Sequence, residues 1–314
     1  MLILQSGLPK SGNLWLDKII RESLRLGKIE SKSFIRSQPI YQEAITWPGF
    51  AEQASIDFIE CDMHGVYFRK GAFRQQIHNI DNYLNQCTHV WTHTMWFPGS
   101  ESTIRKFDKI VYIVRDPRDV VVSASKYFFT PFMLAQHPQQ EPDADSFLKH
   151  RLYEQILTWI QHVGGYLLHS QEYKIHFVFY ERLLYDFDGE YASLLDYLGI
   201  MLSPEEIREV KDSTRFETMK RKNPHHLRKG RSGGWTEVLL SSQIRQIGKM
   251  AGPMMEILGY SINSPVSTIS ELPAMPRSLN SEKIRNAIAQ SRGKLKDKFR
   301  LWELCRQAQK CPLR

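Results

Sequence analysis

Residues 2–16 read Leu2-Ile3-Leu4-Gln5-Ser6-Gly7-Leu8-Pro9-Lys10-Ser11-Gly12-Asn13-Leu14-Trp15-Leu16, and this stretch decides the fold. An apolar run of strand length enters a loop rich in Gly, Pro and Ser, after which apolar residues recur at near-helical spacing to Leu24. A strand that enters a helix through such a loop directs backbone N–H groups and the helix dipole at one place. Lys10 adds a full positive charge there. The stretch therefore predicts an anion site between the first strand and the first helix.

The loop differs from the phosphate loop of nucleotide triphosphatases and kinases, G-x-x-x-x-G-K-[ST]. Gly7 and Gly12 have the right separation, but Asn13 and Leu14 stand where that loop has Lys and Ser/Thr. The missing hydroxyl is the group that would hold Mg²⁺. We therefore predict a phosphate site with no metal. The alternative is a strand-turn-helix whose glycines only permit tight packing.

The composition predicts a protein with a sizeable core. Of 314 residues, 42% are hydrophobic, and one α/β domain of this length is ordinary. The four cysteines show neither a C-x-x-C pair nor zinc spacing, so we interpret them as reduced thiols of a cytoplasmic protein: Cys61, Cys87, Cys305 and Cys311. The N-terminal apolar run is too short for a signal peptide, and no run of about eighteen apolar residues predicts a membrane span.

Positive charge is concentrated in two places. The net charge is +8; residues 281–314 hold ten Lys/Arg against three acidic residues, and residues 215–231 hold seven against Glu217 alone. A basic balance by itself suggests nucleic acid or a membrane surface. The clustering inside 215–231 favours a compact anionic ligand instead, so we predict no nucleic-acid partner.

The alternation of elements predicts an α/β fold: a single domain with a central parallel sheet flanked by helices. The apolar run 109–114 is typical of a buried parallel strand, and Asp116 and Pro117 are suited to the N-cap and first position of the next helix. Further strands are predicted over 90–96 and 174–181, a long helix over 146–169, and an exposed loop or lid over 130–145.

Three segments are predicted along the chain. Residues 1–260 form the main domain, and residues 261–280 are a linker because Pro265, Pro273 and Pro276 stand among Ser and Asn. Residues 281–314 form a basic helical extension with apolar residues on one side. Such a helix can dock on its own domain, or it can lie on a membrane or bind an acidic partner.

Several candidate ligand residues are predicted to meet at one edge of the sheet. Ligands of parallel α/β sheets lie beyond the carboxyl ends of the strands. Arg115 follows one predicted strand, Ser123 lies about two helical turns further on, and His93 ends another strand. The loop of Lys10 follows the first strand.

The motifs of the chain resemble those of the cytosolic-type sulfotransferases. Residues 9–16 resemble their 5′-phosphosulfate loop P-K-S-G-T-T-W-L, and residues 111–123 resemble their 3′-phosphate motif, a strand followed by Arg and, eight residues later, Ser. Residues 228–235 resemble R-K-G-x-x-G-D-W, and Thr92-His93 matches the catalytic histidine. The motifs occur in the family's order and span roughly residues 1–260.

The resemblance implies a sulfotransferase fold and transfer of a sulfuryl group from 3′-phosphoadenosine 5′-phosphosulfate (PAPS), with adenosine 3′,5′-bisphosphate (PAP) as product. The acceptor would be a hydroxyl or amine of a small soluble metabolite. His93 would be the general base, Lys10 would stabilise charge on the leaving oxygen, and Ser123 would restrain that lysine. The implied donor contacts are Lys10, Ser11, Gly12, Asn13, Leu14, Trp15, Arg115, Ser123, Tyr180, Thr214, Phe216, Arg228, Lys229 and Gly230.

The chain departs from the family pattern at several positions. Asn13-Leu14 replaces Thr-Thr, so that Asn13 keeps a side-chain donor but Leu14 offers only its backbone. Arg215 stands where Ser is common, and Gly234 replaces the Asp of the signature. The family's short C-terminal dimerisation motif is not found, so the oligomeric state stays open.

Two other functions are considered. A metal-dependent phosphate-loop kinase for small molecules would need Lys and Ser/Thr at positions 13 and 14 and a carboxylate for Mg²⁺. A basic interaction module would use residues 281–314 to bind nucleic acid or lipid.

Overall fold

A computed structural model describes residues 1–47, 51–70, 73–222 and 230–291. Its strands are β1 (Ile3–Ser6), β2 (Phe58–Asp62), β3 (Gly65–Lys70), β4 (Phe73–Gln76), β5 (His89–Thr92), β6 (Lys109–Val114) and β7 (His176–Phe179). Its helices are α1 (Asn13–Leu26), α2 (Pro39–Ala44), α3 (Ala51–Ala54), α4 (Ile80–Leu84), α5 (Pro98–Ile104), α6 (Pro117–Phe128), α7 (Pro131–Gln136), α8 (Ala144–His150), α9 (Leu152–Leu168), α10 (Tyr180–Tyr185), α11 (Phe187–Leu198), α12 (Pro204–Ser213), α13 (Phe216–Lys222), α14 (Ser241–Ile257) and α15 (Ser281–Ser291).

The described strands form one sheet in the order β4-β3-β2-β5-β1-β6-β7. The five strands from β2 to β7 in this order run parallel to their neighbours, whereas β3 and β4 extend the sheet in antiparallel fashion. The prediction of a single α/β domain with a central parallel sheet is confirmed. The antiparallel extension was not predicted.

Apolar residues on both faces bury the centre of this sheet. One face of β1 and β6 packs, through Ile3, Val111 and Ile113, in the cluster that includes α1 and α11. The other face packs, through Leu4 and Tyr112, in the cluster that includes α9 and α14. Because both faces are covered, the polar chemistry of the chain is directed to the carboxyl ends of the strands.

Several predicted bounds differ from the observed ones. The helix predicted over 146–169 is broken at Arg151 into α8 and α9, and α7 lies inside the predicted loop 130–145. The strands predicted over 90–96 and 174–181 are shorter, because β5 ends at Thr92 and β7 ends at Phe179.

The C-terminal part of the described chain contacts the main domain. In α15, Ile284 and Ala287 are buried, and the helix packs on α9 and α14. The segment predicted as a linker also makes contacts, because the Arg118 guanidinium donates to the carbonyls of Ser261 and Ile262. Residues 292–314 lie outside the described part, so the boundary of the predicted extension stays a prediction.

Candidate active site

The loop between β1 and α1 has the geometry of an anion site. Gly12 is the N-cap of α1 with φ 102°, and among the described residues no side chain caps the helix. The first N–H groups of an uncapped helix lack intrahelical partners and attract negative charge. A Cβ on Gly12 would lie 2.6 Å from the Tyr180 ring, so both the backbone angle and the space demand glycine.

Asn13 stabilises this loop through two hydrogen bonds. Its Nδ2 donates to the Leu8 carbonyl at 2.8 Å, and its own carbonyl accepts from Gln5 Nε2 at 2.7 Å. The side-chain donor that the sequence leaves at this position is therefore engaged inside the loop. Because the Trp15 N–H donates to the Gly12 carbonyl at 3.0 Å, the backbone N–H groups of residues 12–14 are the ones that an anion would meet.

Arg115 connects the loop to a second segment. It follows β6, and its guanidinium donates to the Lys10 carbonyl at 3.2 Å and to the Arg231 carbonyl at 2.9 Å. The guanidinium carbon lies 4.0 Å from the Tyr180 ring centroid, and Arg115 Nε is buried without a partner among the described residues. Burial opposes the charge, but Tyr180 and the nearby carboxylates raise the pKa of Arg115, so the side chain stays cationic.

Lys10 contacts the helix that carries Ser123. Lys10 has φ 74°, unusual for a residue with a side chain, and its Nζ lies 3.7 Å from the ring centroid of Tyr127. Tyr127 is one turn beyond Ser123 on α6, so both present the same face of the helix to the loop. Ser123 is half-buried there.

His93 contacts the loop between β1 and α1. Its Nδ1 lies 2.5 Å from the Gly7 carbonyl, and because a carbonyl only accepts, Nδ1 donates and the proton-free nitrogen is Nε2. The imidazole has edge-to-face contacts with Phe58 and Trp91, at 5.4 and 5.3 Å between centroids. Burial lowers the pKa of His93 to about 3, and the cations of Arg69 and Lys10 act in the same direction. His93 is therefore neutral at physiological pH.

His162 supports the backbone at His93. Its Nε2 donates to the His93 carbonyl at 3.2 Å, while its Nδ1 accepts from the Tyr112 hydroxyl at 2.8 Å. By contrast, His89 is buried on β5, where its Nδ1 lies 3.7 Å from Asp17. Burial lowers the pKa of His89 to about 4.

The predicted adenine contacts follow β7 and α12. Tyr180 begins α10, directly after β7, and Trp15 contacts its ring edge-on at 5.7 Å between centroids. Phe216 lies against Gly230, where an added Cβ would come within 2.2 Å of its ring and where φ is 56°. The Thr214 hydroxyl donates to the Val210 carbonyl, so it is engaged at the end of α12.

The other positions singled out in the sequence are located as follows. Arg228 and Lys229 lie outside the described residues, and Ser11, within the loop between β1 and α1, is buried. Arg215 is largely exposed and pairs with Asp212 at 2.8 Å. Leu14 stands in the first turn of α1, where its backbone faces the loop.

Sequence reasoning missed a buried acidic residue behind Arg115. Glu181 is 0% exposed; it accepts from the Asp116 N–H at 3.0 Å and from the Tyr260 hydroxyl at 2.7 Å. Burial, with the charge of Asp116, raises the pKa of Glu181 to about 7. A charged residue directly after a tyrosine at a strand end was the available signal.

Glu181→Gln is expected to change how stability depends on pH. Because the folded-state pKa lies above the ordinary value of 4.5, the folded protein binds the proton more tightly, and stability falls as pH rises from about 4.5 to about 7. The shift corresponds to a loss on the order of 3 kcal/mol across that window. Urea denaturation at both ends of the window should show the loss reduced in Glu181→Gln but kept in the exposed control Glu172→Gln. An equal loss in both would contradict the assignment.

Two further findings concern metal ligands and membrane-spanning helices in the described ranges. No group of three or more His, Cys, Asp or Glu side chains there could hold a metal ion. Among the helices of these ranges, none combines the length and apolar character that crossing a bilayer requires.

The chain matches one family along most of its described length. The family model described as "Sulfotransferase domain" matches residues 2–259. Sulfotransferase 2B1 of Rattus norvegicus is 26% identical over 249 residues, 72% of this chain and 63% of the relative. The 3-beta-hydroxysteroid sulfotransferase of Cavia porcellus is 26% identical over 260 residues, 77% of this chain and 79% of the relative. The chain thus spans less than two thirds of the rat protein.

Solved structures share the fold. Mouse sulfotransferase SULT7A1 complexed with PAP aligns with a TM-score of 0.54 and 20% identity, covering 81% of this chain and 83% of that chain. Retinol dehydratase in complex with androsterone and the inactive cofactor PAP aligns with a TM-score of 0.55 and 19% identity, covering 81% and 80%. At these identities the likeness shows the fold.

Proposed function

Because the chain belongs to the sulfotransferase family, we propose that it transfers the sulfuryl group of PAPS to a hydroxyl or amine of a small soluble metabolite in the cytoplasm. One observation carries the proposal: the loop of residues 7–12 is contacted both by Arg115, through the Lys10 carbonyl, and by His93, through the Gly7 carbonyl. The two predicted functions, holding a phosphorylated nucleotide and accepting a proton, therefore share one loop.

The chemistry of this edge suits a nucleotide with phosphates at both ends. The uncapped start of α1 is proposed to bind the 5′-phosphate through its backbone N–H groups, and Arg115 and Ser123 are proposed to bind the 3′-phosphate. Arg115 Nε and Trp15 Nε1 are buried polar atoms without partners among the described residues, as expected of donors that a ligand would satisfy. Arg228, Lys229 and Gly230 are proposed to close over the 3′-phosphate.

The proposed reaction needs positioning and charge stabilisation more than covalent help. His93 Nε2 takes the proton of the acceptor hydroxyl or amine as that atom forms its bond to sulfur. The bond between sulfur and the bridging phosphate oxygen breaks in line, and Lys10 stabilises the charge that develops on that oxygen. PAP leaves, and the proton stays on His93 until solvent removes it.

The low pKa of His93 fits this order of events. Lys10 and Arg69 lower it when the donor site has no anion, and the negative charge of the donor offsets these cations. Donor binding is therefore expected to raise the basicity of His93 just before the acceptor loses its proton. Before the donor binds, His93 is neutral and therefore forms no ion pair with the donor's phosphates.

A mass-spectrometric screen tests this function. Purified protein is incubated with PAPS and a panel of alcohols, phenols and amines, with and without EDTA. We expect a sulfated product and PAP in equal amounts, with no effect of EDTA, because Leu14 replaces the hydroxyl that binds Mg²⁺ in kinases. Activity that EDTA abolishes and Mg²⁺ restores would favour the kinase. PAP affinity that vanishes when residues 292–314 are removed would favour the basic interaction module.

A further inference from the structure

The first turn of α6 carries a carboxylate that the proposed reaction does not use. Asp119 lies one turn after Arg115 and is only 4% exposed. A buried carboxylate so close to a proposed phosphate site would repel the phosphate unless its charge is engaged elsewhere. Its partners therefore show what it does.

Asp119 binds the backbone of the segment that follows Gly230. Its Oδ2 accepts from the Gly233 N–H at 2.7 Å, and its Oδ1 accepts from the Trp235 N–H at 3.2 Å. Hydrogen bonds to an ionised acceptor are shorter and stronger than neutral ones. Both carboxylate oxygens are thus committed to one segment of chain, residues 231–235.

Arg115, which lies just before α6, holds this segment at its other end. Arg115 donates to the Arg231 carbonyl at 2.9 Å, two residues before the Gly233 N–H that Asp119 accepts. Just ahead, Gly230 packs against the Phe216 ring so closely that a Cβ would not fit. The position of Gly230 relative to Arg115 is therefore set by a segment that Arg115, just before α6, and Asp119, in its first turn, both hold.

Gly234 lies beside the Asp119 carboxylate and places no side chain against it. A Cβ at position 234 would lie 3.6 Å from Asp119 Oδ1, so an acidic side chain there would place a second carboxylate beside the first. The R-K-G-x-x-G-D-W signature has its acidic residue at this position.

We propose that Asp119 is a positioning residue for the 3′-phosphate of the donor, because its carboxylate holds residues 231–235 against α6 so that the Gly230 end closes over Arg115. The inference rests on the proposed donor site. Asp119 itself does not touch the nucleotide; it acts through the backbone of Gly233 and Trp235.

Calorimetric titration with PAP and with adenosine 5′-monophosphate, which lacks the 3′-phosphate, tests the proposal. In Asp119→Asn the amide cannot accept from both N–H groups, so we expect the Kd for PAP to rise roughly 10-fold and the Kd for the monophosphate less than about 2-fold. The exposed control Asp188→Asn, which removes a carboxylate that pairs with Lys211, should leave both unchanged.

A double-mutant cycle provides a readout that a general loss of stability would not produce. Gly234→Asp alone should weaken PAP binding, because two carboxylates meet. In the double variant D119N/G234D the new carboxylate faces an amide donor, so PAP binding should recover relative to the sum of the two single losses. Losses that simply add would overturn the proposal.

The results distinguish an error in the proposed donor site from an error in the role of Asp119. If the wild-type protein binds PAP no more tightly than the monophosphate, the proposed donor site is wrong. If the wild type prefers PAP and Asp119→Asn keeps the same preference, whatever its melting temperature, only the role of Asp119 is overturned.

Discussion

His93→Ala is expected to abolish most turnover while the Kd for PAP changes by less than about 2-fold. General base catalysis contributes about 10²- to 10⁴-fold to rate, and only Nε2 of His93 is left to accept the proton once Nδ1 has donated to Gly7. The rate of sulfated-product formation, measured with an acceptor found in the screen, gives the loss. Unchanged turnover would refute the assignment of the base.

A second variant separates the base from the tether. His93→Asn keeps a side-chain N–H that can donate to the Gly7 carbonyl but cannot take a proton at neutral pH. We expect it to lose as much turnover as His93→Ala. The control His89→Asn changes the histidine that begins β5, which contacts Asp17, and should remain active. Substantial activity in His93→Asn would make the histidine a structural tether only.

The pH profile gives an independent test of His93. Because burial lowers its pKa to about 3, His93 is neutral above that pH, and its protonation should not reduce kcat/KM of the free enzyme between about pH 7 and pH 5. Because kcat reports the enzyme with donor bound, where the basicity of His93 is raised, the acid limb of kcat should lie at higher pH than the acid limb of kcat/KM. A fall of kcat/KM towards acid pH at the ordinary histidine pKa of 6.5, which disappears when residue 93 is changed, would show that His93 titrates normally. That result would contradict the lowered pKa of a buried His93.

Arg115→Ala is expected to raise the Kd for PAP by roughly 10²-fold and to affect adenosine 5′-monophosphate far less. Truncating one partner of a buried charge pair costs about 2 to 5 kcal/mol. Arg115 also holds the Lys10 and Arg231 carbonyls, so some loss of the monophosphate is expected from the looser loop. Titration calorimetry with both nucleotides measures the difference.

Two variants complete this test. Arg115→Lys keeps the charge but not the paired donors of the guanidinium, so its Kd for PAP should fall between wild type and Arg115→Ala. Arg208→Ala removes an exposed arginine that pairs with Glu205, and it should bind both nucleotides like wild type. Equal losses of PAP and the monophosphate in Arg115→Ala would remove Arg115 from the 3′-phosphate.

The parts of the fold that local signals determine were predictable. The strand-loop-helix of residues 2–16 was, and so was the start of α6, where Asp116 caps the helix by accepting from the Arg118 N–H and Pro117 takes the first position. The β3–β4 extension was not, because an edge strand such as β4, exposed at all four positions, shows no alternation of buried and exposed residues.

Within the site, residue types were predictable but their partners were not. The sequence predicted Lys10, Arg115 and His93 as a group, yet the hydrogen bond from His93 to Gly7 joins the residues that directly follow two neighbouring strands, β5 and β1. Asp119 stands in the string that was compared with the 3′-phosphate motif, but its two amide partners are more than a hundred residues away. Burial shifts the pKa of His93 and of Glu181, and burial is a property of the assembled fold.

A crystal structure of the full chain with PAP tests the proposed donor site most directly. We expect the 5′-phosphate on the N–H groups of residues 12–14 and the 3′-phosphate within hydrogen-bond distance of Arg115 and Ser123, with His93 Nε2 facing the 5′ end. A nucleotide bound elsewhere, or with its 3′-phosphate away from Arg115, would contradict it.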